Sequence, residues 1–151
     1  MTVDIRLDSA GLQEVAVHLM SCDASFHPPL STRVDLASYA GKLVQDATRF
    51  EAWSGGRLIG LVAVYCNASD RGTAFVSNVS VDPHHRGQGV ARRLMRECIT
   101  HLRHLGFERA ALQVDQSALS AIGLYQSMGF RAPGDAASAP LRMMMDLGPA
   151  E

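Results

Sequence analysis

Between Gly89 and Gly106 the apolar residues Val90, Leu94, Cys98, Leu102 and Leu105 recur at spacings of four, four, four and three, and Arg92, Arg96 and Arg103 fall on the opposite side. This period predicts a helix over Gly89 to Leu105 with one face in a core and the other in water, and Gly106 is placed to stop it. Thr73 to Val81 reads as a strand that Pro83 ends, and Arg109 to Val114 reads as the strand after the helix. A helix held between two strands needs a sheet to lie on.

The rest of the chain supplies that sheet. Val3 to Leu7 alternates like a half-buried strand, and Ser9 stands where an N-cap would precede a helix carrying Leu12, Val15, Ala16 and Leu19. Pro28-Pro29 interrupts helix, and a second helix is expected from near Asp35 to about Asp46. Arg49 to Trp53 and Leu58 to Cys66 flank Ser54-Gly55-Gly56-Arg57, the composition of a tight antiparallel hairpin. Asn67 to Gly72 is a turn-rich link. Ser117 is in place to cap a last helix with the stripe Ala118, Ala121, Ile122 and Tyr125, stopped at Gly129. Phe130-Arg131 and Leu141 to Leu147 read as closing strands around a loop over Ala132 to Pro140. The expected class is α/β (α+β): a mixed, mainly antiparallel central sheet with helices on both faces, in a single domain over residues 1–151.

Composition narrows the partners. Hydrophobic residues are 47% and charged residues 19% of the 151, enough apolar material for one core. Fourteen basic against fifteen acidic residues give a net charge of -1, so no positive excess is available to hold a nucleic acid. Cys22, Cys66 and Cys98 are odd in number and far apart, which predicts reduced thiols in a cytoplasmic protein. His101 and His104 lack the carboxylates or cysteines that would complete a metal site, so no metal is expected. The opening MTVDIRL has an early acid and no long apolar run, so neither a signal peptide nor a membrane span is expected.

The stretch Val79-Ser80-Val81-Asp82-Pro83-His84-His85-Arg86-Gly87-Gln88-Gly89-Val90-Ala91 joins a strand through a glycine-bearing turn to the best helix. The first N–H groups of a helix have no intrahelical partner and sit at the positive end of its dipole, so such a junction can hold a phosphate by backbone alone. Glycine at 87 and 89 lets the main chain approach a ligand closely. Gly-x-Gly by itself is common punctuation. A dinucleotide fingerprint needs a third glycine where Arg92 stands, and an ATPase phosphate loop needs Gly-Lys-Ser or Gly-Lys-Thr, which the chain lacks.

Arg86-Gly87-Gln88-Gly89-Val90-Ala91 resembles the Arg/Gln-x-x-Gly-x-Gly/Ala signature of the GNAT acetyltransferase family, and Leu124-Tyr125-Gln126-Ser127-Met128-Gly129-Phe130 is similar to its Leu-Tyr-x-x-x-Gly-Phe segment. The resemblance implies acetyl-coenzyme A as co-substrate. The backbone amides of Arg86, Gly87, Gln88, Gly89, Val90 and Ala91 would bind its pyrophosphate, and Val79 and Val81 would pair with the pantetheine arm like an added strand. Tyr125 matches the family tyrosine that can protonate the departing thiolate; without that context it reads as core. The family often places an asparagine seven residues earlier, where this chain has Ala118.

A neutral amine must lose a proton as it attacks, and Asp115 is the first candidate base, followed by Glu51. His84 and His85 read as phosphate-side or exposed groups. The resemblance implies an acceptor pocket at the loop with Phe26 and His27, so acceptor specificity is expected there and in the Ala132 to Pro140 loop. The activity so implied is direct acetyl transfer, in a ternary complex, to a primary amine of a small molecule. A protein N-terminal or lysine acetyltransferase and a non-catalytic acyl-coenzyme A sensor are the alternatives. A homodimer is compatible with the family, although no apolar stripe demands one.

Overall fold

The computed structural model describes residues 2–26, 28–132 and 140–148. In chain order its elements are β1 (Asp4–Leu7), α1 (Leu12–Cys22), α2 (Leu36–Asp46), β2 (Thr48–Ser54), β3 (Arg57–Tyr65), β4 (Thr73–Val81), α3 (Val90–Leu105), β5 (Arg109–Val114), α4 (Leu119–Met128) and β6 (Leu141–Asp146). The strands form one six-stranded sheet in sequential order. Every pairing is antiparallel except β4 with β5, which α3 joins as a crossover between parallel neighbours.

Helices cover both faces. Val15 and Leu19 of α1 and Ala40 and Leu43 of α2 pack with Trp53, Leu58, Leu61 and Ala63 on one side. Leu94, Met95, Cys98 and Leu102 of α3 pack with Phe50, Ala52, Ile59 and Val62 on the other, and Tyr125 of α4 and Phe130 join that cluster. A strand covered on both faces has no solvent side, and β3 is accordingly buried from Leu58 to Val64. Gly60 of β3 sits under the start of α3: a Cβ there would meet Val90 Cγ1 at 2.8 Å, so the helix N-terminus lies close against the sheet.

Two expected caps are corrected. Gly11, not Ser9, is the N-cap of α1. The Ser9 hydroxyl donates to Glu51 Oε1 at 2.6 Å instead. Glu51 is fully buried and also accepts from Ala10 N and Trp53 Nε1, with Arg49 Nε 3.4 Å from Oε2. It is a brace tying the β1–α1 turn to β2, because a buried carboxylate needs this many donors to be tolerated. Ala118, not Ser117, is the N-cap of α4. Ser117 donates from both its backbone N and its hydroxyl to Asp115 Oδ1 and closes the preceding turn.

The closing segment is shorter than expected at its start: Phe130-Arg131 makes no strand, and Arg131 forms a single antiparallel bridge to Met144. Most of the Ala132 to Pro140 loop lies outside the described residues. The three cysteines are free and buried. No described helix is long and apolar enough to cross a membrane. Among the described residues no group of three or more His, Cys, Asp or Glu side chains is placed to hold a metal.

Candidate active site

The sheet opens in its middle. Parallel pairing of β4 with β5 runs from Thr73 opposite Arg109 to Val76 opposite Leu112 and stops, while β4 continues to Val81 and β5 to Val114. The break coincides with a β-bulge: Val64 of β3 faces Val76 and Ala63 faces Asn78, which leaves Ser77 as an extra residue on β4. A bulge bends its strand and raises its twist, and here the bend carries β4 away from β5.

The open half of β4 has a free edge whose direction follows from the ladder. Asp82 N donates to Ile59 O at 2.8 Å, so Asp82 and, by alternation, Ser80 and Asn78 turn their peptide groups toward β3. Val79 and Val81 therefore aim theirs into the gap. Arg86 Nε reaches Val81 O from that side at 3.3 Å.

At the end of this edge the chain turns into α3. Asp82, buried, accepts from His84 N at 2.9 Å and from Arg57 Nη2 at 2.9 Å, fixing the short 3₁₀ turn Pro83–His85. Burial works to raise the Asp82 pKa, but the His84 N–H, Arg57 and the two histidines together hold it below the usual carboxylate range. Gly87 (φ 77°) and Gly89 (φ 78°) are both left-handed, and a Cβ at either would meet nothing within 4 Å. The glycines are thus required by backbone conformation rather than by crowding, and the space over them is open.

Gly89 caps α3 without a side chain, no acid stands in the first turn, and the first intrahelical bond is Arg93 N to Gly89 O at 3.0 Å. The N–H groups before Arg93 have no intrahelical acceptor. Residues 86 to 89 are exposed, Ala91 is half-buried, and the side chain of Val90 is in the core, so Val90 can offer a ligand only its peptide group. The Arg86 side chain, which reaches Val81 O through Nε, also donates from Nη2 to the Ser25 hydroxyl.

The other expected site residues lie on separate segments of the chain. Tyr125 is 6% exposed and meets Phe130 edge-on at 6.0 Å between ring centres. Burial pushes its phenol up to about 12. Asp115 is half-buried just beyond the end of β5. His84 is exposed, and His85 is half-buried with Nδ1 3.7 Å from Asp82 Oδ1. Phe26 is half-buried, and His27 lies outside the described residues.

A further set of polar residues was not singled out in the sequence. On the α1–α2 face of the open half-strand, His18 Nε2 lies 2.9 Å from Ser80 Oγ, which donates to Asn78 Oδ1 at 2.7 Å. Tyr39 Oη of α2 lies 2.6 Å from Ser77 Oγ. Burial lowers the His18 pKa to about 4 and raises that of Cys22, 3.7 Å from His18 Nε2, to about 11. The signal in the sequence was the alternation Asn78-Val79-Ser80-Val81-Asp82, which reads as a strand with its polar side in water. Instead Asn78, Ser80 and Asp82 are 4%, 6% and 1% exposed, a polar strip under the helices.

Comparison with known proteins agrees with this architecture. The model of the acetyltransferase (GNAT) family matches residues 13–130. The chain is 38% identical over 86 residues to N-acetyltransferase family 8 member 2 of Rattus norvegicus, covering 55% of this chain and 38% of that protein. The chain thus spans well under two thirds of the length of the curated relatives it matches. The ribosomal-protein-S18-alanine N-acetyltransferase of Escherichia coli superposes with a TM-score of 0.79 at 21% identity, over 99% of this chain and 97% of that one. The PaiA N-acetyltransferase of Thermoplasma acidophilum, solved in complex with coenzyme A, gives 0.74 at 15% identity, over 97% and 99%. These likenesses show a shared fold. With the family model covering most of its length, the chain belongs to the acetyltransferase (GNAT) family.

Proposed function

We propose that the protein transfers the acetyl group of acetyl-coenzyme A to the primary amine of a small molecule, by direct attack within a ternary complex. The observation that carries this reading is the convergence of two open backbone surfaces, the strand-free edge of β4, where Arg86 Nε reaches Val81 O, and the start of α3, which no side chain caps. A diphosphate fits the second, because the helix end is positive and the left-handed glycines leave the space above it clear. An extended amide-bearing arm fits the first, because Val79 and Val81 offer peptide donors and acceptors without a strand to receive them.

Acetyl-coenzyme A, when bound, supplies the activated thioester. The amides of residues 86 to 91 hold its pyrophosphate, and Val79 and Val81 align its arm along β4. Tyr125, protonated throughout the physiological range, donates to the sulfur as the carbon–sulfur bond breaks. Asp115, held by Ser117, takes the proton that the amine nitrogen sheds as it bonds to the carbonyl carbon. Direct attack needs no acyl-cysteine, and Cys22, buried with a raised pKa, is a poor nucleophile.

The test is release of free thiol from acetyl-coenzyme A with panels of small amines, amino sugars and peptides. Turnover with small amines is the expected result. Turnover with peptides alone would move the acceptor to a protein, and tight coenzyme binding without turnover on any panel would make the chain a sensor.

A further inference from the structure

We propose that Ser77, the bulged residue of β4, accepts an N–H of the incoming amine, and that Tyr39 is the positioning residue that fixes Ser77 for this contact. The proposal rests on the acetyl-transfer reading and adds the nitrogen side of the reaction to it.

Position is the first argument. The last β4–β5 rung is Val76 opposite Leu112, so Ser77 stands at the vertex of the gap. A donor anchored at residues 86 to 91 and laid along Val81 and Val79 runs toward that vertex. At about 3.3 Å per strand residue, Ser77 lies about 13 Å beyond Val81, at the far, acyl-bearing end of the arm.

Hydrogen-bond capacity is the second. Tyr39 Oη lies 3.2 Å from Ser77 O and 2.6 Å from Ser77 Oγ. If the phenol donates to the carbonyl, Ser77 Oγ donates to the phenol and keeps both lone pairs; if the phenol donates to Oγ, one lone pair remains. In either arrangement Oγ can accept from nitrogen. Burial raises the Tyr39 pKa, so the pair stays neutral and offers the amine an acceptor without a competing charge.

Access is the third. Ser77 and Tyr39 are half-buried, whereas Asn78, Ser80 and Asp82 on the same side are buried and already bonded to protein groups. Tyr39 packs against the α1–α2 core and Tyr125 lies in the α3 core. Tyr39 thus meets the vertex from the α1–α2 face of the sheet, the face opposite the core that holds Tyr125.

Tyr39→Phe removes the hydroxyl and keeps the ring, and Ser77→Ala removes the acceptor. For wild type, both variants, the double variant and Ser77→Thr, acetyl-coenzyme A affinity is measured by calorimetry, and acceptor KM and kcat by thiol release. The expected result is a rise of about tenfold in acceptor KM for each single variant, the size of one neutral hydrogen bond. Coenzyme affinity should stay within about twofold, the double variant should be no worse than Ser77→Ala, and Ser77→Thr should restore KM. Unchanged acceptor KM in both single variants, additive losses, or an equal fall in coenzyme affinity would overturn the proposal, the last because a brace of the strand alone would disturb donor and acceptor together. A wild type that turns over no amine overturns the acetyl-transfer reading and this proposal with it; a wild type that turns over while the variants match it overturns this proposal alone.

Discussion

Burial moves the pKa of Tyr125 and of His18 in opposite directions, because it disfavours the charged form of each: the phenolate in one case, the imidazolium in the other. Tyr125 is left as a donor that keeps its proton, so Tyr125→Phe should lower kcat by about a hundredfold or more while coenzyme affinity changes little. Equal kcat in the two proteins would return Tyr125 to the core it packs in. His18 is lowered from 6.5 to about 4, chiefly by desolvation, with Asp82 partly opposing the shift and Arg57 adding to it. The unfolded chain therefore takes up a proton below 6.5 that the folded chain refuses until about 4. The stability from this site is full above 6.5 and is lost as the pH falls toward 4, by about 3 kcal/mol in all. Melting temperatures of wild type and His18→Gln across that window should converge as the pH falls, and parallel curves would show that His18 is not the titrating group.

Among the elements, the turn into α3 carries the sharpest demand. Alanine at Gly89 must adopt φ 78° and should destabilise the protein by about 1–2 kcal/mol, although no neighbour obstructs its Cβ. Gly89→Glu carries the same strain and adds a negative charge where the proposed reading puts a diphosphate. Coenzyme affinity should therefore fall much further in Gly89→Glu than in Gly89→Ala, and equal affinities in the two, measured by calorimetry, would remove the anion from this turn. The turn and the elements beside it were legible in the sequence because their signals are local: Pro83 ends β4, Gly106 ends α3, and the apolar period between them is unbroken. Ser117 was lost to a local competitor, the Asp115 carboxylate two residues before it, whereas the Ser9 cap failed for the opposite reason, claimed by Glu51 forty-two residues away. The polar strip of β4 was hidden in the same way, since alternation reports which residues share a face but not whether a helix covers it. Tyr125 as a candidate came from the motif around it, and nothing in its own spacing distinguishes it from core.

At the scale of the molecule, the sheet is two ladders joined along the four rungs from Thr73 to Val76, and the ligand proposed here would extend that joint into the gap. This makes a prediction residue by residue. In the free protein the Ser80 and Asp82 amides are committed to β3, as the 2.8 Å bond from Asp82 N to Ile59 O shows, while those of Val79 and Val81 face the opening. Amide exchange should accordingly be slow at 80 and 82 and fast at 79 and 81. Saturating acetyl-coenzyme A should slow exchange at 79 and 81 specifically, through main-chain bonds that a side-chain substitution cannot remove. The whole fold should gain stability at the same time, by about 2.7 kcal/mol at a hundredfold excess over Kd. Uniform slowing at all four positions would mean that the ligand only stabilises the fold globally. Slowing confined to residues 86 to 91, with none at 79 and 81, would mean that the diphosphate binds while the arm takes another course, and the alignment of the thioester with Ser77 and Tyr125 would then lose its basis.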